Sequence, residues 1–494
     1  MGTRAPHVPI VLAGPKAGAL PAGCIAVHVT RTTDQHATVR ERPFSWRFTT
    51  PLFVGSALNP INSSLLATAL VPIAHGIGIP IGQTATLVTA LYLATAIAQP
   101  TAGKAAEVFG PRRVFIAGIG MVAAGGLIGG VAQDLLTLLV SRVLIGLGTS
   151  CAYPTAMLLI RRRSHEAGLQ QPPGGVLGGL QIAGIATASL GLPIGGLLVG
   201  GLGWRAVFLI NLPVAVVALA ATLAWVEPDG PLQRSSVREI SARLDLIGIL
   251  GFAAAMLALL AFLFELPTAH WWVLGLSVVL WIAHLAWELR ASAPFIDLRL
   301  LGSRPALSAT YARFGLAMLC QYVVLYGITQ WIETVRGYSE SESGALLLPM
   351  TLVSGVVIIP ISRRNLVRGP AIAAALTTLA GSACVLLLDA DAWVGMVLVV
   401  TILFGVAVGF AAAGNQTALY LHAPAEQLGT ASGLLRTFGY VGSIASSAIT
   451  GMVFREQVSD QGVHLIAWIM IGVSVALTVL TLADRTLLAR PAAD

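Results

Sequence analysis

VGMVLVVTILFGVAVGFAAAGNQTA, Val394 to Ala418, holds no charged residue over a length that would cross a lipid bilayer as one helix. About 20 apolar residues rising 1.5 Å each match the ~30 Å hydrocarbon core, where only helices or closed barrels satisfy the backbone hydrogen bonds. Working outward, fourteen such segments emerge, at 51–74, 84–102, 112–131, 136–160, 174–199, 204–226, 244–265, 270–288, 307–331, 343–361, 370–388, 394–418, 429–452 and 463–484. The expected fold class is therefore all-α: a polytopic membrane protein with 14 transmembrane helices.

Composition agrees. With 56% hydrophobic and 10% charged residues, a water-soluble globule of 494 residues is excluded. The formal charge of +7 is not a nucleic-acid signal, because the basic residues sit in short loops between apolar segments. Of 29 basic residues only Lys16 and Lys104 are lysine. Cys24, Cys151, Cys320 and Cys384 are far apart, without metal-ligand or redox spacing, and read as packing residues. Residues 1–50 read as a flexible cytoplasmic tail and 488–494 as a second, short one.

The loops fix the orientation. Alternate connections hold Lys104, Arg112 and Arg113; Arg161, Arg162 and Arg163; Arg234, Arg238 and Arg243; Arg290, Arg299 and Arg304; and Arg363, Arg364 and Arg368. The opposite set offers Arg205, Arg336 and Arg455. The positive-inside rule places the rich set, and both termini, in the cytoplasm of a cell whose inner membrane the chain spans. Trp204, Trp225, Trp271, Trp272, Trp287, Trp331 and Trp393 fall near segment ends, as interfacial anchors do.

A shift of 255 residues lays Gly178, Leu180, Gly184 and Gly196 of the fifth segment onto Gly433, Leu435, Gly439 and Gly451 of the thirteenth. Two pseudo-symmetric six-helix bundles, 51–226 and 307–487, with a linker of two additional helices at 227–306, would produce this repeat. Parallel repeats of that kind are a transporter architecture with the site between the halves.

GKAAEVFGPRR, Gly103 to Arg113, resembles the loop signature of the major facilitator superfamily, with Val108 and Pro111 at two usually basic positions. The resemblance implies a conformational gate made of Gly103, Glu107, Gly110, Arg112 and Arg113. RVLIGLG, Arg142 to Gly148, resembles a second signature, and GLPIGG is similar to the antiporter motif, giving Gly191, Pro193, Gly195 and Gly196. WRAVFLINLP from Trp204, LDLIG from Leu244 and PFIDLRLLGSRP from Pro294 resemble the 14-spanner drug:proton antiporter branch. That branch usually has an Asp early in its first helix, whereas ALNPINSSLLATALVP offers Asn59 and Asn62.

Buried polar groups are the candidate site. An arginine at mid-membrane depth costs about 2.5–3.5 kcal/mol and faces a cavity or a partner. Arg142 and Arg436 lie at such depth, and the repeat sets Arg436 on Gln181. Asn59 and Asn62 line a cavity or pack helices, and Tyr92 is an aromatic wall or a packing residue. Arg313 is expected to snorkel to the interface, and His284 and Glu288 to be solvated near helix ends.

No nucleophile, metal cluster or phosphate loop points to an enzyme, a metal or a cofactor. The expected function is a monomeric secondary transporter exporting small amphipathic solutes or drugs by alternating access, with protons as the implied coupling ion and lipid as surroundings. Two alternatives stay open: an anionic-solute transporter with another coupling ion, and a transport-inactive sensor or scaffold. Single cysteines at Arg162, Arg290 and Arg364, with the natural cysteines removed, should react with an impermeant maleimide only from the cytoplasmic side. Cysteines at Arg336 and Arg455 should react only from the other; arginine-loop labelling on both sides refutes the topology.

Overall fold

The computed structural model describes residues 43–484 except Gln170, 232–235, 265–269, Ser339 and Glu456, and these form helices and short connections with no strand among them. In chain order the helices are α1 (Trp46–Ala67), α2 (Leu70–Ile77), α3 (Ala85–Phe109), α4 (Pro111–Val131), α5 (Leu135–Ser150), α6 (Ala152–Glu166), α7 (Gly174–Leu202), α8 (Ala206–Leu209), α9 (Asn211–Trp225) and α10 (Val237–Leu244). They continue as α11 (Leu246–Phe264), α12 (Trp271–Glu288), α13 (Leu298–Ser303), α14 (Pro305–Val323), α15 (Thr329–Thr334), α16 (Glu340–Arg363), α17 (Arg368–Val385), α18 (Val394–His422), α19 (Leu428–Val453) and α20 (Asp460–Ala483). Most of the expected N-terminal tail, 1–42, Cys24 within it, and the C-terminal 488–494 lie outside the described residues. Trp46 to Thr50, expected in the tail, instead form the first turn of α1.

Over the described residues each of the fourteen apolar segments falls mainly on helix. Nine helices among the described residues are long and apolar enough to cross a membrane, or eleven when each of two bent pairs counts as one span. The first pair is α1 with α2, bent by 61°; the second is α7, bent by 44° between Ala188 and Pro193. Pro193 lacks the amide hydrogen that would continue the helix, and its ring crowds the carbonyl four residues back. The segments at 84–102, 370–388 and 429–452, on α3, α17 and α19, stand outside that count.

Packing sorts the helices. α1 lies on α7 and α9, α4 on α5 and α9, and α3 on α5 and α6; further along, α14 lies on α19 and α20, α16 on α18, and α17 on α18 and α20. Contacts between these two sets run through α3 with α19 and α7 with α16, while α11 and α12 pair with each other. Small residues make the crossings close: a side chain on Gly429 would meet the Gly103 carbonyl oxygen at 2.7 Å, and one on Gly433 would meet Pro100 Cα at 2.6 Å. In a bilayer such backbone approach replaces the hydrophobic drive between helices.

Three side chains depart from expectation. Arg313 does not snorkel: it is 2% exposed, its guanidinium 2.5 Å from Asp484 at the end of α20 and donating to Thr310 Oγ1 at 2.9 Å. His284 and Glu288 are 3% and 1% exposed rather than solvated, because the chain at 291–297 folds back over the end of α12. Two alanine substitutions test the α3–α19 crossing. Gly433→Ala should cost about 1–3 kcal/mol through overpacking and lower the melting temperature in detergent. Gly451→Ala, with nothing within 4 Å, should leave it unchanged or raise it.

Candidate functional site

Four helices converge on Asn59 of α1. Its Nδ2 donates to Thr95 Oγ1 of α3 at 3.2 Å and Thr149 Oγ1 of α5 at 2.9 Å, and its Oδ1 accepts from the Tyr440 hydroxyl of α19 at 2.9 Å. One turn on, Asn62 and Asn211 of α9 exchange amide hydrogen bonds at 2.8 and 3.0 Å. Arg142 of α5 is 1% exposed beside them: it donates to the Asn62 carbonyl at 3.3 Å, stands 5.9 Å from the Phe208 ring, and its Nε has no partner. α5 starts cleanly because Asp134 caps it, accepting from Thr137 N at 2.8 Å.

Arg436 of α19 meets the residue onto which the repeat laid it. It donates to Gln181 Oε1 of α7 at 2.9 Å and lies 4.2 Å over the Tyr153 ring of α6. Gln181 Nε2 donates to Gln416 Oε1 of α18, and the Tyr153 hydroxyl donates to that same oxygen at 2.9 Å. Tyr92 is partly exposed, its ring 6.0 Å from that of Tyr440, and Tyr322 and Tyr326 form a second pair at 5.6 Å. The result is a polar belt with aromatic sides that joins the two helix sets. Tyr153, Asn211, Gln416 and Tyr440 were not singled out from the sequence. Gln416 had a legible signal, an amide inside a chargeless apolar run.

Toward the arginine-bearing end, Glu107 of α3 crosses to α19 and accepts from Thr430 N at 2.7 Å and Thr430 Oγ1 at 3.1 Å. Beside it Asp229 accepts from Arg113 N at 2.9 Å and Arg112 N at 3.3 Å, supplying a negative charge at the N-terminus of α4. Gly110 precedes that helix at φ 99, a backbone conformation that favours glycine, and a side chain there would strike Asp229. A cavity of about 350 Å³ opens here, lined by Glu107, Arg113, Arg162, Asp229 and Arg243 among others. So the structure brings together Gly103, Glu107, Gly110, Arg112 and Arg113. Of the other glycine motif, Gly191 and Gly195 let α7 lie against Ser64 and Thr68, Pro193 sits at the bend, and Gly196 has nothing within 4 Å.

Glu107 lies beyond the apolar segment 84–102. Burial pushes its carboxyl up from 4.5 to about 7, against the lowering by Thr430 and the neighbouring Lys104. The α3–α19 contact thus holds a proton more tightly than a water-exposed carboxyl would. Its contribution to this contact is full below about 4.5 and lost as pH rises through about 7. Paired spin labels on the ends of α3 and α19 should therefore separate as pH rises across that window, and Glu107→Gln should flatten the response; an unchanged pH profile in the variant would exclude Glu107 as the source.

A family model described as Major Facilitator Superfamily matches residues 52–447. The chain is 31% identical over 430 residues to an uncharacterized MFS-type transporter, YwoD, of Bacillus subtilis, covering 86% of this chain and 93% of that one. It is 30% identical to the tetracenomycin C resistance and export protein of Streptomyces glaucescens, covering 87% and 81%, and 30% identical to the multidrug resistance protein Stp of Mycobacterium tuberculosis, covering 76% and 69%. In fold it is similar to the crystal structure of the human organic anion transporter MFSD10, with TM-score 0.63, 16% identity, and 88% and 99% covered. It is likewise similar to the proton:xylose symporter XylE, with TM-score 0.59, 14% identity, and 89% and 95% covered.

Proposed function

The chain belongs to the major facilitator superfamily, and on that premise we propose that it exports small amphipathic solutes from the cytoplasm by proton-coupled alternating access. Export relatives support the direction, and the polar belt is the observation that carries the reading. At hydrocarbon depth polar side chains are costly, yet here Arg436 and Gln181, and Asn59 and Tyr440, pair across the two helix sets. Groups that bond each other in one state and a solute in the next belong to a cavity that opens.

The proposed architecture has fourteen spans, α3, α17 and α19 included, with pseudo-symmetric bundles at 51–226 and 307–487, a monomer in the inner membrane with cytoplasmic termini. Repeat-related contacts support it: a side chain on Gly178 would meet Ser362 of α16 at 2.7 Å, as one on Gly433 would meet α3. Cross-set hydrogen bonds run from the belt to the arginine-bearing end, through Thr437 with Ala96 and Thr430 with Glu107. This conformation is accordingly read as closed toward the cytoplasm. Return to the inward state, in which solute loads from the cytoplasm, then requires breaking Glu107–Thr430 and Arg436–Gln181.

Arginine chemistry favours a second reading, an anionic group on the solute. Among the described residues neither Arg142 nor Arg436 has a carboxylate within ion-pair distance, and Arg142 Nε is unpartnered. Purified protein in proteoliposomes should move a fluorescent amphipathic dye under an imposed pH gradient and stop when a protonophore collapses it. Folded protein without gradient-dependent flux of any dye would overturn the export reading. Arg436→Gln should weaken an anionic dye by about tenfold or more, the effect of removing one charged hydrogen bond, while sparing a cationic one. Equal effects on both would leave the solute charge unread by Arg436.

A further inference from the structure

Outside the two helix sets, the end of the α11–α12 pair holds three titratable side chains that the export reading does not use. Asp245 turns the chain from α10 into α11 at φ 53. Its Oδ1 accepts from Gly248 N at 3.0 Å and Trp287 Nε1 at 2.9 Å, and its Oδ2 accepts from Phe295 N at 2.9 Å. Glu288, the last residue of α12, accepts from Ile296 N at 3.1 Å through Oε2. Its other oxygen, Oε1, is buried without a hydrogen-bond partner and faces His284 Nε2 at 3.7 Å. His284 Nδ1 is likewise buried and unpartnered.

Gly248 shows how tight the arrangement is. A side chain there would lie 2.6 Å from Glu288 Oε1 and closer still to Asp245 Oδ2, so both carboxylates share one niche floored by a glycine. The rings of Phe252 and Trp281, 5.9 and 5.8 Å from the His284 ring, keep it apolar. The charges acting on Glu288 are Asp245 and Lys104 of α3. Lys104 gives its hydrogen bond elsewhere, to the Pro294 carbonyl at 3.0 Å. Two carboxylates in one apolar niche do not both ionise cheaply. The orphaned Glu288 oxygen opposite an imidazole is satisfied by one added proton, held as the Glu288 acid.

We propose that Glu288 and His284, packed beside Asp245, form a proton-binding site whose single proton holds the 291–297 segment against the helix pair, and whose loss releases it. With the proton gone, Glu288 at the helix end is the carboxylate free to swing to water, and it withdraws the acceptor of Ile296 N. The Pro294 carbonyl moves with that segment, so Lys104 loses its anchor. Lys104 stands one turn before Glu107 on α3, and the site therefore bears on the charged end of the α3–α19 crossing whatever the solute is.

Hydrogen exchange read by mass spectrometry on the full chain in nanodiscs tests this without any transport assay. After correction for intrinsic exchange, the peptide covering 289–299 should exchange about tenfold faster once the site is deprotonated, the factor that one unit of pKa difference between held and released states supplies. Glu288→Gln cannot ionise and should stay slow at every pH. It should also lack one protonated-carboxyl infrared band that the wild type shows in a Glu107→Gln background. A corrected wild-type profile indifferent to pH overturns the proposal, even where Glu288→Gln does not fold. So does a folded variant that follows the wild type. Either result leaves the export reading untouched, since no flux is measured.

Discussion

Lipid offers no hydrogen bonds, so each polar group inside a span must find its partner within the protein. That constraint organises the interior. Hydroxyls answer it locally, as Thr95, Thr155, Thr310 and Ser474 donate to the carbonyl four residues back in their own helices. Amides such as Asn62 and Asn415 also make one such local bond, but their remaining donors and acceptors, like those of the guanidinium groups, need partners on other helices. Asn62 needs Asn211, Asn59 needs Thr95, Thr149 and Tyr440, and Gln181 needs Arg436 and Gln416. The polar belt is the set of groups with more donors and acceptors than their own helix can satisfy.

The same constraint explains the glycines. Because lipid is as apolar as leucine, helices gain little by hiding leucine from it, and they associate through close packing instead. Side chains added to Gly118 or Gly148 would strike the facing backbone at 2.7 and 2.5 Å, which locks α4 to α5 within one set. Between the sets, Gly103, Gly429 and Gly433 do the same at one end of α3 and α19. A glycine contact has no interlocking side chains, so two surfaces joined by it separate without unthreading. Cross-set hydrogen bonds contribute about 0.5–1.5 kcal/mol each, or about 1.5–3 kcal/mol where one partner is charged, a scale that new bonds to water or solute can offset.

Much of this was legible in the sequence. Apolar length placed all fourteen segments mainly on helix, since periodicity is not needed where the solvent is uniform. Beyond the three glycines and one leucine that the shift matches, Arg436 and Gln181, aligned by it, are bonded to each other. What stayed hidden was tertiary. His284 and Glu288 read as solvated because they stand near a helix end, and only the fold-back of 291–297 buries them. Arg313 read as snorkelling because its partner, Asp484, is distant in sequence. Asp229, in the connection between α9 and α10, could not be matched with the α4 N-terminus by any spacing.

The two ends of the interface differ in what can replace a broken bond. At the arginine-bearing end, Glu107, Asp229, Arg113 and Arg162 line a cavity that admits water, so each hydrogen bond broken on opening is exchanged for hydration at small net cost. At the belt, Arg142 is buried and Arg436 half-buried, and separating Arg436 from Gln181 leaves a guanidinium and the Gln181 Oε1 short of a partner unless something polar enters. Opening the charged end is therefore a question of proton and salt, while opening the belt is a question of occupancy. Under the export proposal an amphipathic solute would meet both demands at once, its polar group taking over the amide and guanidinium bonds and its apolar body the faces of Tyr92, Tyr322 and Tyr326.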